Sequence, residues 1–211
     1  MSDETKAWYD ANARAYCLNT VTSSMDAAIQ RFVNHLPVRG VVLDLGCGSG
    51  RDARRLALLG YIVDARDFSG ELARHALDVS GVNVRIQDAR NMEDTCAFDG
   101  VWACAVLLHL RPAEMMDVMT RIHASLRLGG VVYLSVKQGR GEGTEDGRFF
   151  CYWSQSEVES MATLQCGFEI VESWLSQDLT RPNIQWINVI ARRPLGFAST
   201  EVRVLERDVG G

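Results

Sequence analysis

This sequence of 211 residues has few prolines and no long apolar run, and each shortage excludes a class of protein. Its 4 prolines are too few for a collagen-like or proline-rich chain. Uncharged stretches such as residues 100–110 fall well short of the ~18 apolar residues that a membrane-spanning helix needs. The first residues include Asp3 and Glu4 and no apolar segment, which argues against a signal peptide. We therefore expect a cytoplasmic protein without a membrane partner.

An excess of positive charge is also missing, because the formal net charge is -5 at pH 7. General nucleic-acid binders normally carry a basic surface, so this charge argues against such a partner but leaves a local basic site open. The six cysteines form no Cys-x-x-Cys pair and have no histidine at zinc spacing. We expect reduced, mostly structural thiols and no metal site.

The length and composition predict one globular domain with modest additions. Hydrophobic residues make up 47% and charged residues 23% of the chain, which excludes disordered and fibrous classes. We predict a single domain over residues 1–194, of which about residues 1–37 form a helical cap. Residues 195–211 are predicted to form a C-terminal tail.

Short apolar segments alternate with helical segments along the middle of the chain. The predicted strands cover residues 40–45, 61–66, 82–87, 98–106 and 131–136. The predicted helices cover residues 8–36, with a break expected near residues 19–20, and residues 51–59, 70–79, 113–126 and 157–164. Residues 169–176 and 185–191 are predicted as an antiparallel closing pair, and the glycine-rich residues 137–147 as a mobile loop. The alternation predicts an α/β fold with a Rossmann-like doubly wound sheet, mainly parallel, with an antiparallel closing strand and helices on both faces.

The first predicted strand-to-helix turn contains three glycines in a G-x-G-x-G pattern, at Gly46, Gly48 and Gly50. Glycine permits a positive φ and a close approach of the backbone to a ligand. A dinucleotide-binding turn would have a glycine at position 51, where this chain has Arg51. The pattern therefore disfavours a dinucleotide-dependent oxidoreductase. Asp44, which precedes the turn, places a carboxylate at the end of the same strand.

Two more carboxylates, Asp67 and Asp88, follow the second and third predicted strands. A carboxylate at the end of the second strand can accept both hydroxyls of a ribose. The alternative is an acid at a helix start, where the helix dipole favours negative charge. Because parallel strands end at one edge of the sheet, we expect both side chains to face one crevice.

These motifs resemble those of the class I S-adenosylmethionine-dependent methyltransferases, and the resemblance extends over residues 8–192. Residues 43–50 are similar to the first motif of that family, residues 67–69 to its ribose-binding step, residues 88–89 to its adenine-edge step, residues 98–102 to its fourth strand, and residues 126–130 to the turn before its fifth. The motifs are specific for the cofactor and leave the methyl acceptor open.

The resemblance implies that S-adenosyl-L-methionine is the cofactor and S-adenosyl-L-homocysteine the product. It places the backbone of Gly46 and Gly48 against the methionine part, Asp67 on the ribose, Phe68 over the adenine and Asp88 on the adenine amino group. The other residues that it assigns to the cofactor are Tyr16, Asp44, Cys47, Gly50, Arg51, Ala89, Cys104 and Ala105. Within this set, Arg51 either reaches the cofactor carboxylate or is a solvated helix arginine.

Residues 8–16 resemble the tyrosine-bearing cap helix of many small-molecule methyltransferases. Tyr9 and Tyr16 are seven residues apart and share one face of a helix. They either close over the sulfonium, since a cation is attracted to aromatic faces, or are core contacts of an amphipathic helix.

The acceptor site is predicted from less specific features of the sequence. His109, just past the fourth strand, is a candidate general base or acceptor-positioning residue; otherwise it binds the cofactor or caps the next helix. We expect an acceptor pocket between the cap helix and the segment after the fifth strand, where aromatics and arginines suit a planar or anionic acceptor. Its candidate residues are Tyr9, Arg140, Arg148, Phe150, Tyr152 and Trp153, with Arg181 and Trp186 as weaker ones. The alternative is a surface loop followed by core aromatics.

The implied function is methyl transfer to oxygen or nitrogen of a small-molecule acceptor by in-line displacement. One alternative is a tRNA methyltransferase acting on the wobble uridine side chain, because residues 148–150, residues 157–159 and Trp186 loosely resemble that family. Another is a non-catalytic subunit that binds S-adenosylmethionine and partners another protein.

Overall fold

The computed structural model describes residues 2–178, 181 and 183–196. Elements are numbered in chain order. The helices are α1 (Asp3–Thr20), α2 (Asp26–Val33), α3 (Arg51–Leu58), α4 (Gly70–Ser80), α5 (Pro112–Ser125) and α6 (Gln155–Ser160). The strands are β1 (Val41–Leu45), β2 (Ile62–Asp67), β3 (Val84–Ile86), β4 (Phe98–Cys104), β5 (Leu126–Lys137), β6 (Gly141–Glu145), β7 (Arg148–Tyr152), β8 (Glu169–Gln177) and β9 (Gln185–Arg192).

Within the described residues, seven strands form one sheet in the order β3-β2-β1-β4-β5-β9-β8. The pairs from β3 to β5 are parallel, and β9 pairs antiparallel with both β5 and β8. This confirms the predicted Rossmann-like sheet. The strand order reverses between β1 and β4, which is where open α/β sheets bind their ligands.

The central strands are buried on both faces, which explains their continuous apolar sequence. One core surrounds Leu43, Val101 and Met115, and a second surrounds Phe32 and Trp102 on the opposite face. The Trp102 ring stacks on Tyr133 with the ring centroids 3.9 Å apart. A rigid sheet therefore supports the strand ends that carry the candidate site residues.

The cap helix α1 lies against α4 through side chains that recur every four residues. Tyr9, Ala13 and Cys17 are buried with Leu72 of α4. Ser69 is the N-cap of α4, as predicted, because its hydroxyl accepts the Leu72 N–H at 3.0 Å. The cap therefore covers the carboxyl end of β2.

The prediction of a mobile loop over residues 137–147 is wrong. β5 continues to Lys137, and residues 141–145 form a hairpin with β7. The turn uses Asp146 and Gly147, with φ angles of 50° and 79°, and Asp-Gly is a preferred pair in tight hairpin turns. The glycine content obscured this signal, because glycine-rich stretches usually indicate loops.

Other differences concern the ends of elements. The first helical segment begins at Asp3 rather than at residue 8, and its predicted break is confirmed, because α1 ends at Thr20. β5 begins at Leu126 rather than at residue 131. The last predicted helix begins at Gln155, after a capping box at Ser154, and continues as a π-helical turn.

No helix among the described residues is both long and apolar enough to cross a membrane. All six cysteines are free. The predicted tail lies outside the described residues from position 197 onward.

Candidate functional site

A cleft opens at the carboxyl ends of β1, β2, β4 and β5. It consists of a larger cavity of about 740 Å³ and a smaller one of about 50 Å³. The residues that line both cavities are Tyr9, Tyr16, Gly46, Gly48, Cys104, Ala105 and His109. Because these residues are shared, the two cavities form one continuous site.

The glycine turn after β1 forms the floor of the cleft. Gly46 and Gly48 have φ angles of 70° and 55°, which disfavour residues with a side chain. A Cβ atom on Gly46 would lie 2.3 Å from the Val106 side chain, and one on Gly48 would lie 3.2 Å from the Tyr16 ring. The floor is therefore bare backbone that a ligand can approach closely.

Gly50 has a different role from the first two glycines. It is the N-cap of α3 with a φ of 72°, and a Cβ atom there would lie 3.4 Å from Ala76 of α4. It does not line the cleft in the described part of the chain. Gly50 therefore permits close packing of two helices, and its predicted contact with the cofactor stays a prediction.

Asp67 at the end of β2 is held rigidly at the junction of the cleft and the cap. Its two oxygens accept the N–H groups of Gly48 and Ser69, each at 2.9 Å. Burial raises the pKa of Asp67 even though these hydrogen bonds favour the ionised form. The carboxylate is thus fixed in place and retains lone pairs for a ligand.

The smaller cavity continues from Asp67 along Phe68, Asp88 and Ala89. Burial opposes ionisation of Asp88, but hydrogen bonds from Arg90 outweigh it and lower the pKa. The Arg90–Asp88 ion pair spans 2.6 Å. The structure therefore brings together the carboxylates of β2 and β3 on one crevice, as the sequence predicts.

Asp44 at the wall of the larger cavity carries an unsatisfied oxygen. The residue is 2% exposed, and its Oδ2 has no hydrogen-bond partner among the described residues. Burial, with the nearby charges of Asp52 and Asp67, raises its pKa well above the ordinary value. Buried polar atoms normally have partners, so this oxygen is a candidate contact for a ligand.

The hydrogen bonds of Arg51 go to the neighbouring Asp52, and its charge lowers the pKa of Asp44 less than burial raises it. Its Nε and Nη2 atoms donate to the two oxygens of Asp52 at 2.7 and 2.8 Å. Asp52 also accepts the Trp102 indole N–H at 3.0 Å. Arg51 lines the larger cavity, which favours the first of its two predicted roles over a solvated helix position.

Cys47, Cys104 and Ala105 line the cleft on either side of the turn. Ala105 has a φ of 55°, which is strained for a residue with a side chain, and its N–H donates to Ser135 Oγ at 3.0 Å. Burial raises the pKa of the Cys104 thiol to about 12. Cys104 is therefore protonated at neutral pH and presents its backbone and a neutral side chain.

His109 joins the cap helix to the β6–β7 hairpin. Its Nδ1 lies 2.7 Å from the Phe149 carbonyl oxygen, which can only accept, so Nδ1 carries the proton. Its Nε2 lies 2.9 Å from the Tyr9 hydroxyl and accepts from it. Burial lowers the pKa of His109 to about 4. The imidazole is neutral and both nitrogens are engaged, which favours the predicted positioning role over that of a general base.

The predicted acceptor residues divide into two groups. Arg148 and Phe150 line the larger cavity with Tyr9, and so do Arg181 and Trp186. Arg140 is exposed, and neither it nor Tyr152 nor Trp153 lines the cleft. Tyr152 instead donates to Glu145 on the outer side of the hairpin.

Lys137 is a residue of the larger cavity that the sequence reasoning missed. Its side chain is 3% exposed, and its Nζ lies 2.9 Å from Glu145 and 3.5 Å from the centre of the Phe150 ring. The available signal was a lone cation at the end of an apolar buried strand. The sequence places Lys137 in the predicted loop, because the predicted fifth strand ends at residue 136.

Comparisons with known proteins agree on the central part of the chain. Residues 42–130 match the family described as Methyltransferase domain. A ubiquinone biosynthesis O-methyltransferase from Xanthomonas oryzae pv. oryzae is 34% identical over 102 residues. That match covers 44% of this chain and 41% of the relative, so the chain matches less than half the length of that protein.

Solved structures show the same fold over most of the chain. The Burkholderia thailandensis 1,6-didemethyltoxoflavin-N1-methyltransferase, crystallised with that compound and S-adenosylhomocysteine, superimposes with a TM-score of 0.77 at 23% identity. The match covers 90% of this chain and 88% of that one. A methyltransferase from Methanosarcina mazei gives a TM-score of 0.71 at 19% identity, covering 82% of this chain and all of that one.

Proposed function

We propose that this chain is a class I S-adenosylmethionine-dependent methyltransferase that transfers a methyl group to an oxygen or nitrogen of a small-molecule acceptor. Its residues 42–130 match the methyltransferase family. The family comparison and the fold confirm the resemblance that the sequence motifs carry. The observation that best supports activity is the fixed Asp67 carboxylate beside the bare glycine turn, in a cleft that continues into a cavity large enough for an acceptor.

The residues of the cleft fit S-adenosylmethionine part by part. Asp67 would accept the ribose hydroxyls, and Phe68 and Asp88 would hold the adenine in the smaller cavity. The turn at Gly46 would lie against the methionine part, whose ammonium group suits the unsatisfied Oδ2 of Asp44. A buried carboxylate oxygen gains most from a cationic partner of this kind.

When bound, S-adenosylmethionine supplies a methyl group that is activated by the positive charge on sulfur. The chain then has to orient the acceptor and exclude water, and orientation can account for a large part of the rate. Tyr9 and Tyr16, whose ring centroids are 5.2 Å apart, present aromatic faces and edges at the junction of the two cavities. Aromatic faces attract cations, which favours a sulfonium there.

His109 would act as a positioning residue in this reaction, because it fixes the hydroxyl of Tyr9 rather than offering a free nitrogen. A nucleophile with an available lone pair at neutral pH needs no general base. We therefore expect the acceptor atom to be an acidic hydroxyl, a carboxylate or an amine with a lone pair.

Three features support a small molecule over tRNA as the acceptor. A cavity of about 740 Å³ falls in the usual range for small-ligand sites. The named relative methylates oxygen in ubiquinone biosynthesis, and the named neighbour methylates nitrogen of 1,6-didemethyltoxoflavin. The net charge of -5 also disfavours a polyanion such as tRNA.

Calorimetry of S-adenosylhomocysteine binding tests the cofactor site. We expect Asp67→Asn to weaken binding at least tenfold, because hydrogen bonds to a charged group contribute about 1.5–3 kcal/mol each. The matched control is Asp117→Asn, which neutralises an exposed carboxylate on α5. Equal affinity of the Asp67 variant and the native protein would refute the ribose assignment.

Labelled methyl transfer tests the acceptor class. The protein is incubated with methyl-labelled S-adenosylmethionine and either total tRNA or a metabolite extract. We expect label in small metabolites and none in tRNA above the level of the Asp67→Asn variant. Label in tRNA would establish the alternative, and cofactor binding without any transfer would favour the non-catalytic subunit.

A further inference from the structure

Lys137 is an unusual residue for the end of a buried strand. Its side chain is 3% exposed, yet it lines the larger cavity beside Ser135 of the same strand. A buried ammonium group is costly unless an anion accompanies it. Its partner is the Glu145 carboxylate, which is 47% exposed at the outer edge of the hairpin. Lys137 therefore already binds a carboxylate, and solvent around Glu145 weakens the attraction between the two charges.

Arg148 supplies a second cation next to Lys137. Its Nε is buried without a hydrogen-bond partner among the described residues, and its ion pair with Asp146 spans 3.9 Å to an 83% exposed side chain. Its guanidinium lies over the Trp8 ring at 4.0 Å and 5.3 Å from the centre of the Phe150 ring. Lys137 and Arg148 thus share one aromatic neighbour, and the Nε of Arg148 is a donor without a partner among the described residues.

The surroundings of these two cations suit a flat aromatic body. Both cations lie near the Phe150 ring, and Trp186 stands opposite Lys137 in the β5–β9 pairing. Phe150 also contacts the His109 ring, with centroids 4.8 Å apart, at the junction where the two cavities meet. An aromatic molecule placed along Phe150 would therefore reach from the cations to that junction.

Lys137 and the junction of the two cavities, where the methyl group would be transferred, lie at different positions along β5. Ser135 pairs with Cys104 and accepts the Ala105 N–H, beside the residues common to both cavities. Lys137 lies two residues farther along the strand, on the order of 6–7 Å away. That separation is close to the length of a benzene ring with one substituent.

We propose that the acceptor is an aromatic carboxylic acid, that Lys137 and Arg148 bind its carboxylate, and that a hydroxyl or amino substituent across the ring receives the methyl group. This inference rests on the proposed function, and names the acceptor class of that site. The nucleophile oxygen or nitrogen forms the new bond to the methyl carbon as the carbon–sulfur bond breaks, and the electron pair stays on sulfur. Any proton of the nucleophile leaves to solvent, and the carboxylate remains unmodified.

Binding of matched acid and amide pairs to the protein saturated with S-adenosylhomocysteine tests the proposal. The probes are 4-hydroxybenzoate, 3,4-dihydroxybenzoate and 2-aminobenzoate, each compared with its neutral amide. We expect at least one acid to bind tenfold or more tighter than its amide. In Lys137→Met the preference should fall below threefold, since methionine has a similar length and no charge. Arg140→Met, at an exposed arginine outside the cleft, is the control and should keep the preference.

Two results would overturn the proposal. One is the absence of a preference for any of the three acids in the native protein, and the other is an undiminished preference in Lys137→Met. Affinity for S-adenosylhomocysteine is measured first in every variant. If the native protein does not bind S-adenosylhomocysteine, the proposed function itself is overturned. If it binds S-adenosylhomocysteine but does not prefer the acids to their amides, only the proposed acceptor class is overturned.

The position of the transferred methyl group gives a second, independent test. Products labelled from a metabolite extract are treated with base, which cleaves methyl esters but not aryl ethers or methylamines. Label that stays in the product supports transfer to a ring substituent. Label released as methanol would show that the carboxylate itself is methylated, and would overturn the proposal.

Discussion

The imidazole of His109 lies between a phenol and a backbone carbonyl, and that position determines its chemistry. From the sequence it was a candidate base, because a free histidine titrates near neutrality. In the structure its Nε2 accepts from Tyr9, its Nδ1 donates to Phe149, and burial lowers its pKa to about 4. The same residue type therefore has a positioning role here, which its neighbours impose.

The lowered pKa of His109 predicts an acid-sensitive fold. Between pH 6.5 and about 4 the unfolded chain binds a proton at this residue and the folded chain does not, so stability rises with pH across that window. The full effect approaches about 3 kcal/mol. We expect His109→Gln to reduce the loss of unfolding free energy between pH 7 and pH 4, as measured by urea denaturation. Equal pH slopes in the variant and the native protein would contradict this.

The β6–β7 hairpin is the element that completes the acceptor side of the cleft. It brings Arg148 and Phe150 to the cavity and presents Phe149 to the cap, where its N–H donates to Thr5 Oγ1 at 2.9 Å. The tight turn at Gly147 sets this register, and a Cβ atom on Gly147 would lie 3.2 Å from Trp8 of α1. The hairpin and the cap helix therefore depend on one another.

Replacement of the turn glycine tests this dependence. We expect Gly147→Ala to lower the free energy of unfolding by about 1–2 kcal/mol, because alanine is strained at a φ of 79° and its Cβ would lie 3.2 Å from Trp8. Gly143→Ala in the same hairpin is the control, since its Cβ would lie 3.8 Å from Tyr152 without a positive φ. Denaturant unfolding of both variants is the measurement, and a Gly143 variant as unstable as the Gly147 variant would argue against the turn as the cause.

At the scale of the whole molecule, the site is assembled from distant parts of the chain. Tyr9 meets His109 across 100 residues, and Thr5 meets Phe149 across 144. Asp67 joins the glycine turn to the start of α4. A ligand in the cleft would contact the sheet and the cap at once, so binding and global stability should be coupled.

This coupling predicts a stabilisation that depends on cofactor concentration. At a concentration of S-adenosylhomocysteine one hundred times its Kd, we expect the unfolding free energy to rise by about 2.7 kcal/mol. Asp67→Asn at the same concentration should gain much less, because its occupancy falls. Thermal unfolding with and without the ligand checks this, and an equal shift in both proteins would contradict a role for Asp67 in binding.

The sequence by itself determined the features that depend on local physics. Apolar strands buried on two faces, the glycines at the first turn and the acids at strand ends predicted the sheet and a ligand cleft at its edge. Each follows from the conformational and burial preferences of neighbouring residues. The fold confirms the sheet and the crevice that Asp67 and Asp88 share, and the residue contacts with the cofactor stay a prediction.

Only the tertiary structure decided what the acceptor side contains. Lys137 and Arg148 come together because β5 extends one residue past its predicted end at residue 136 and the β6–β7 hairpin folds back over it. His109 is engaged at both nitrogens because two segments on either side of it in sequence pack against its ring. Such contacts depend on packing between remote segments, and no local pattern in the sequence specifies them.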